Sequence, residues 1–151
     1  MNVARVLETK GSGEVLTLGE NASLREFVAK ACERNVGALL VVNEKGVVCG
    51  IVTERDVLRQ CNAGIDFEKT PVSQVMTRDV VSVRPGDDIN KAMDLMITKS
   101  IRHLPVLEED AVLGVITVRD VMRALRKAEE DDIRYLIQYL QESMAKENVS
   151  L

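Results

Sequence analysis

One eight-residue phrase occurs twice in this chain. Gly50-Ile51-Val52-Thr53-Glu54-Arg55-Asp56-Val57 returns as Gly114-Val115-Ile116-Thr117-Val118-Arg119-Asp120-Val121. Five positions are identical and two more exchange Ile and Val. A repeat of this kind restricts the fold to a duplicated unit. It also places a hydroxyl and a carboxylate at matching points, each just after an apolar strand.

The similarity runs well beyond the phrase. Thr17 falls on Ser82, Leu24 on Ile89, Val36 on Ile101 and Val41 on Val106, at an offset of 65 residues. From Gly50 onward the offset is 64, so the second copy lacks one residue. The gap is expected at the turn, where Asn43-Glu44-Lys45-Gly46 meets Glu108-Glu109-Asp110.

Each copy reads as β-α-β-β-α. A short strand (Val15-Leu16-Thr17 or Val80-Val81-Ser82) precedes a helix from Ser23 to Asn35 or from Asp88 to Ser100. The helices show apolar residues at helical spacing, with Ser23 and Asp88 as N-caps. Two strands follow, Gly37–Val42 with Val47–Thr53 and Arg102–Leu107 with Val112–Thr117, and a second helix begins near Glu54 or Val118. The spacing of Val3, Val6 and Leu7 matches that of Val72, Val75 and Met76, so each copy is expected to open with a short helical turn. A unit of about 60 residues buries too little surface to be secure alone, and two sharing a core solve that problem. The expected fold is α/β (α+β), with the copies at 1–69 and 70–127 and a terminal helix over 128–151. On that helix Ile133, Leu136, Ile137, Leu140 and Met144 form an apolar stripe. It can pack on the chain's own domain or on a second copy. The acidic run Glu129–Asp132 reads as a solvated face or a helix start.

Composition removes several function classes. The net charge is −4, aromatics are 3% and no Lys/Arg run stands out, so no nucleic-acid partner is expected. The longest apolar run, Val36 to Val42, is too short for a membrane span, and no secretory signal is visible, so a cytoplasmic location is expected. Three cysteines without a C-x-x-C spacing read as free, buried or half-buried thiols. A single histidine, His103, rules out a multi-histidine metal site. No phosphate-binding Gly-x-x-x-x-Gly-Lys loop is present, and Gly11-Ser12-Gly13 neither follows a strand nor has a third glycine. No catalytic constellation emerges.

The phrase itself permits two readings. Thr53 to Asp56 and Thr117 to Asp120 fit a helix capping box, with the carboxylate reaching back to the cap. A helix start also offers free N–H groups to a phosphate, and a carboxylate there suits the vicinal hydroxyls of a ribose. Both hold together, because a carboxylate has several acceptor sites.

The duplicated unit, the Leu104-Pro105-Val106 strand and the Gly-h-h-Thr-x-x-Asp phrase in both copies resemble the CBS (cystathionine β-synthase) domain family over about residues 1–126. The resemblance implies a tandem pair with two clefts related by a pseudo-twofold axis. It implies adenosine-containing ligands: AMP, ADP, ATP, NAD(H) or S-adenosylmethionine. Such a ligand would be regulatory, with no cofactor required and no catalysis. Carried over, cleft one combines Thr53 and Asp56 with Val80, Val81 and Ser82, and with Arg102, His103 and Arg119 toward the phosphates. Cleft two combines Thr117 and Asp120 with Val15, Leu16, Thr17 and Ala38, with Arg55 as its phosphate ligand. On residue type alone, Arg102 and His103 can equally face solvent, and Arg55 and Arg119 can be plain exposed helix-start arginines. The second copy's Arg102-His103 stands where the first has Gly37-Ala38, so the clefts are expected to differ and cleft one to favour the more phosphorylated ligand. The resemblance further implies a homodimer acting on a regulated partner protein. A constitutive oligomeric scaffold without ligand is the competing reading.

Overall fold

The computed structural model describes residues 1–11 and 13–149. Ser12 of the Gly11-Ser12-Gly13 stretch and residues 150–151 of the terminal segment lie outside the described residues. The elements run α1 (Val3–Lys10), β1 (Thr17–Gly19), α2 (Leu24–Arg34), β2 (Ala38–Val42), β3 (Val48–Thr53), α3 (Glu54–Ala63), a 3-10 turn at Val72–Gln74, α4 (Ile89–Thr98), β4 (His103–Glu108), β5 (Ala111–Thr117) and α5 (Val118–Val149).

The caps explain where the helices begin. The Ser23 hydroxyl accepts from Glu26 N–H at 3.1 Å while the Glu26 carboxylate accepts from Ser23 N–H at 2.6 Å, a complete capping box. Asp88 caps α4 by accepting from Asn90 N–H at 2.8 Å. The first hairpin closes over Asn43, whose side-chain oxygen accepts from both Lys45 and Val47 N–H. Glu109, at φ 54°, supplies the tighter turn of the second hairpin. The missing residue of the second copy falls in this shorter connection.

The two sheets differ. β1 pairs parallel to β2, with Thr17 opposite Leu40, and β2 pairs antiparallel to β3. β4 and β5 form only a two-stranded sheet. The strand expected at Val80–Ser82 does not form; a single parallel bridge joins Val83 to Val106. The reason lies in Pro105, which occupies the place of Leu40. Extending the ladder back to Ser82 would need an N–H from Pro105, and proline has none. In the first copy the strand forms, but at Thr17–Gly19, two residues later than the apolar run Val15–Thr17 placed it.

The opening segments cross over between halves. Val3 and Val6 of α1 are buried with Val83, Ile89, Leu104 and Ile116 in the second core. Val72 and Met76 are buried with Leu24, Phe27, Leu39 and Val52 in the first. Backbone bonds tie each exchange: Val3 N–H to Asp87 O at 2.9 Å and Val72 N–H to Ala22 O at 2.8 Å. The exchange explains the glycine that begins both phrases. A Cβ on Gly50 would run into Met76 Sδ, and one on Gly114 would sit 2.9 Å from Leu7 Cδ2. Each opening segment therefore packs on the other copy's phrase, where a side chain would block it.

α5 is one continuous helix of 32 residues, about 48 Å long. Val121 and Ala124 bury it in the second core. The stripe Ile133, Leu136, Ile137, Leu140 and Met144 is exposed throughout and does not pack on the chain's own domain.

Candidate functional site

Cleft one is a pocket of about 580 Å³, a size suited to a small organic ligand. Thr53, Glu54, Arg55 and Asp56 form one wall, where β3 ends and α3 begins. Thr77, Asp79, Val80 and Val81 form another, and Lys99 to His103 a third. The walls come from both repeats because the segment after the 3-10 turn crosses the phrase of the first copy, with Ile51 and Thr77 exchanging backbone bonds at 3.0 Å.

Asp56 is 8% exposed and does two jobs. Its Oδ2 accepts from Thr53 N–H at 2.9 Å and from the Thr53 hydroxyl at 3.3 Å, which closes the start of α3. Its Oδ1 lies 3.8 Å from the Arg59 guanidinium, which is itself exposed. One oxygen therefore caps the helix and the other keeps acceptor capacity beside the pocket.

The pocket runs against the charge of the whole chain. Four permanent cations line it, Arg55, Arg59, Lys99 and Arg102, against the carboxylates Glu54, Asp56 and Asp79. Val80, Val81, Ile51 and Ile101 supply apolar surface beside them. His103 begins β4, and its ring lies against Gly37, where a Cβ would meet the His103 ring at 3.5 Å and the Glu54 carboxylate at 3.3 Å. A Cβ at Gly37 would be in ordinary contact with the His103 ring and tight only against the flexible end of Glu54. Burial pushes the His103 pKa below its ordinary value; Glu54 opposes the shift, and Lys10 and Arg102 reinforce it.

The second copy, where cleft two is expected, has the same carboxylate in a different setting. Asp120 Oδ2 accepts from Thr117 N–H at 2.9 Å, and the Thr117 hydroxyl accepts from Asp120 N–H at 3.2 Å, so the capping box here is complete. Lys10, at the end of α1, reaches the same Asp120 oxygen at 3.0 Å and Val115 O at 2.8 Å. Burial alone would raise the Asp120 pKa; the Lys10 ammonium and the Thr117 hydrogen bonds outweigh it and hold the carboxyl below its ordinary value.

Of the residues assigned to cleft one, Thr53, Asp56, Val80, Val81, Arg102 and His103 line a single pocket, while Ser82 and Arg119 are not among its lining residues. Arg55, expected across the molecule in cleft two, lines cleft one, because it lies in the first turn of α3 beside Asp56. Of the cleft two residues, Thr17 begins β1 and Ala38 begins β2, while Val15 and Leu16 precede the strand, half-buried. Arg59, Lys99, Asp79 and Lys10 were missed. Arg59 was legible as a residue one helical turn past Asp56. Lys10 was not, because its contact spans 110 residues of sequence. Cys32 and Cys61 are exposed rather than buried. Cys49 is half-buried, and burial followed by the charge of Glu20 pushes its thiol pKa up.

Comparison with known proteins agrees with this arrangement. The CBS domain family model matches twice, at residues 7–62 and 72–127. A mitochondrial CBS domain-containing protein of Arabidopsis thaliana is 31% identical over 147 residues, covering 92% of this chain and 71% of its own length. The crystal structure of a CBS-domain containing protein from Agrobacterium tumefaciens superposes with a TM-score of 0.77 at 32% identity, over 82% of this chain and 98% of that one. A CBS domain protein from Pyrobaculum aerophilum, complexed with AMP, superposes with a TM-score of 0.71 at 24% identity, over 80% of this chain and 89% of that one. Among the described residues, no helix is long and apolar enough to cross a membrane.

Proposed function

This chain belongs to the CBS domain family, and from that premise we propose that it is a non-catalytic sensor whose cleft one takes a phosphorylated adenosine ligand. The observation that carries the reading is the pocket itself. It sets a half-committed carboxylate, Asp56, beside apolar Val80 and Val81 and beside four cations. Each part matches one part of such a ligand. The carboxylate accepts from vicinal ribose hydroxyls, the valine segment covers a flat base, and the cations neutralise phosphates. The Pyrobaculum relative, complexed with AMP, supports the adenosine part of this reading.

Arg102 is the cation that the first copy cannot match, since Gly37 stands in its place. Cleft one therefore favours ATP or ADP over AMP, and AMP over adenosine. The ligand acts by differential affinity for two arrangements of the halves or of an oligomer, and a coupling of about 1–3 kcal/mol suffices to signal.

A thermal-shift panel of adenosine, AMP, ADP, ATP, NADH and S-adenosylmethionine tests the proposal. The expected result is a rise in melting temperature that grows with phosphate number, and a smaller gain from the phosphates in Arg102→Ala. No shift from any of these at millimolar concentration would leave the ligand-free scaffold as the better reading.

A further inference from the structure

Beyond residue 128 the helix α5 carries an apolar surface that the chain's own fold does not cover. Val121 and Ala124 mark the face that meets the second core. At about 100° per residue, Ile133, Ile137, Leu140 and Met144 lie roughly 150° around the helix from it. Each of these four is more than half exposed. Turning the helix to bury them would expose Val121 and Ala124, so this surface is left for another molecule. Their spacing of four, three and four residues is the narrow seam by which one helix meets a second helix of the same kind. With Leu136 beside them, they leave on the order of 500 Å² of apolar surface per copy, which the flanking polar residues extend toward the ~800 Å² per partner of a standard interface.

We propose that this seam pairs with the same seam of a second copy, in antiparallel sense, setting Ile137 against the second copy's Leu140 and Ile133 against its Met144. Charge fixes the direction. Carried back from Ile133, the seam positions are Glu130, Arg126 and Arg123. A parallel pair would stack each of these on its own copy and would set the acidic run Glu129–Asp132 against itself, which like-charge repulsion opposes. In the antiparallel register Arg123 and Arg126 lie beyond the overlap of the two helices, and Arg126 keeps its neighbour on the same helix, Glu130, at 3.7 Å. Like charge meets at the seam only at its rim, where Glu130 faces the second copy's Glu147. The seam is self-complementary under a twofold axis, as a closed dimer requires. This inference does not depend on the nucleotide reading.

Sedimentation equilibrium of the whole chain tests it. The wild type is expected at twice 16.7 kDa, and Ile137→Glu with Leu140→Glu at 16.7 kDa with an unchanged circular dichroism spectrum. Both substituted side chains are exposed in the single chain, so its fold does not rely on them. A monomeric wild type, or a dimer that survives the double substitution, overturns the proposal. Direction is tested in a background with Cys32, Cys49 and Cys61 changed to Ser. Mixing Ile137→Cys with Leu140→Cys should cross-link in preference to either alone; the reverse preference overturns the antiparallel assignment.

Discussion

Asp56 and Asp120 occupy equivalent places in the two repeats, yet they have different neighbours. Asp56 lines a 580 Å³ pocket and, besides its bonds from Thr53, has an exposed arginine 3.8 Å away. Asp120 is held by Lys10 at 3.0 Å and shares that ammonium with Val115 O. The phrase supplies the same capping chemistry twice. What surrounds it comes from elsewhere in the chain, namely α1 for cleft two and the segments around Val80 and Arg102 for cleft one. Duplication thus copied a scaffold and a carboxylate, and the flanking elements give the two carboxylates different neighbours.

The sharpest test of this contrast is binding. Asp56→Asn keeps an oxygen able to cap α3 but loses the charge, and should weaken ATP at cleft one by about 1.5–3 kcal/mol. Asp120→Asn should change that affinity far less. Calorimetry on both variants checks the pair, and equal losses would erase the distinction between the clefts.

Packing of the two phrases comes next. Gly50→Ala drives a methyl into Met76 Sδ and Cγ and should cost about 1–3 kcal/mol of stability. Gly114→Ala meets only the end of the Leu7 side chain, which can swing away, and should cost less than about 1 kcal/mol. Urea unfolding of both variants measures the difference.

A smaller effect follows from the lysine. Lys10→Met removes an ion pair that is partly exposed on the lysine side and should cost at most about 1 kcal/mol. It should also raise the Asp120 pKa toward its ordinary value, readable by carboxyl NMR titration. Because the folded pKa is depressed, the stability from this contact is present above the unfolded value and is lost as pH falls through the folded one. Adenosine, with no phosphate to engage Lys10, should bind cleft two more tightly in the variant. Unchanged adenosine binding would mean that Lys10 does not obstruct the cleft.

The smallest expected effect is that of His103. Its pKa is also depressed, so the folded state resists protonation and stability falls as pH drops below about 6.5. His103→Gln should flatten the loss of melting temperature between about pH 7 and about pH 5. An unchanged slope would show that the imidazole takes up its proton equally in the folded and unfolded chains over that range.

Much of this was legible in the residues. The repeat, the caps at Ser23 and Asp88, the hairpins and the Thr53–Asp56 pair follow from local pattern and from comparing the copies, while Val80, Val81, Arg102 and His103 were implied by the family resemblance. Local pattern failed where a neighbour intervened. The strand at Val80–Ser82 was written in β-branched residues, but its partner strand carries a proline where a donor was needed. Arg55, expected in cleft two, stands among the residues lining cleft one, because it lies in the first turn of α3 beside Asp56.

The sequence by itself determined that the chain is a doubled unit with a carboxylate at the start of two helices, since periodicity, turn residues and caps act over a few positions. Only the tertiary structure decided that the opening segments exchange halves, that Lys10 reaches Asp120 and that the stripe on α5 faces away from its own domain. Those features depend on residues brought together from distant parts of the chain, 110 positions apart for Lys10 and Asp120, and no local propensity encodes such a meeting.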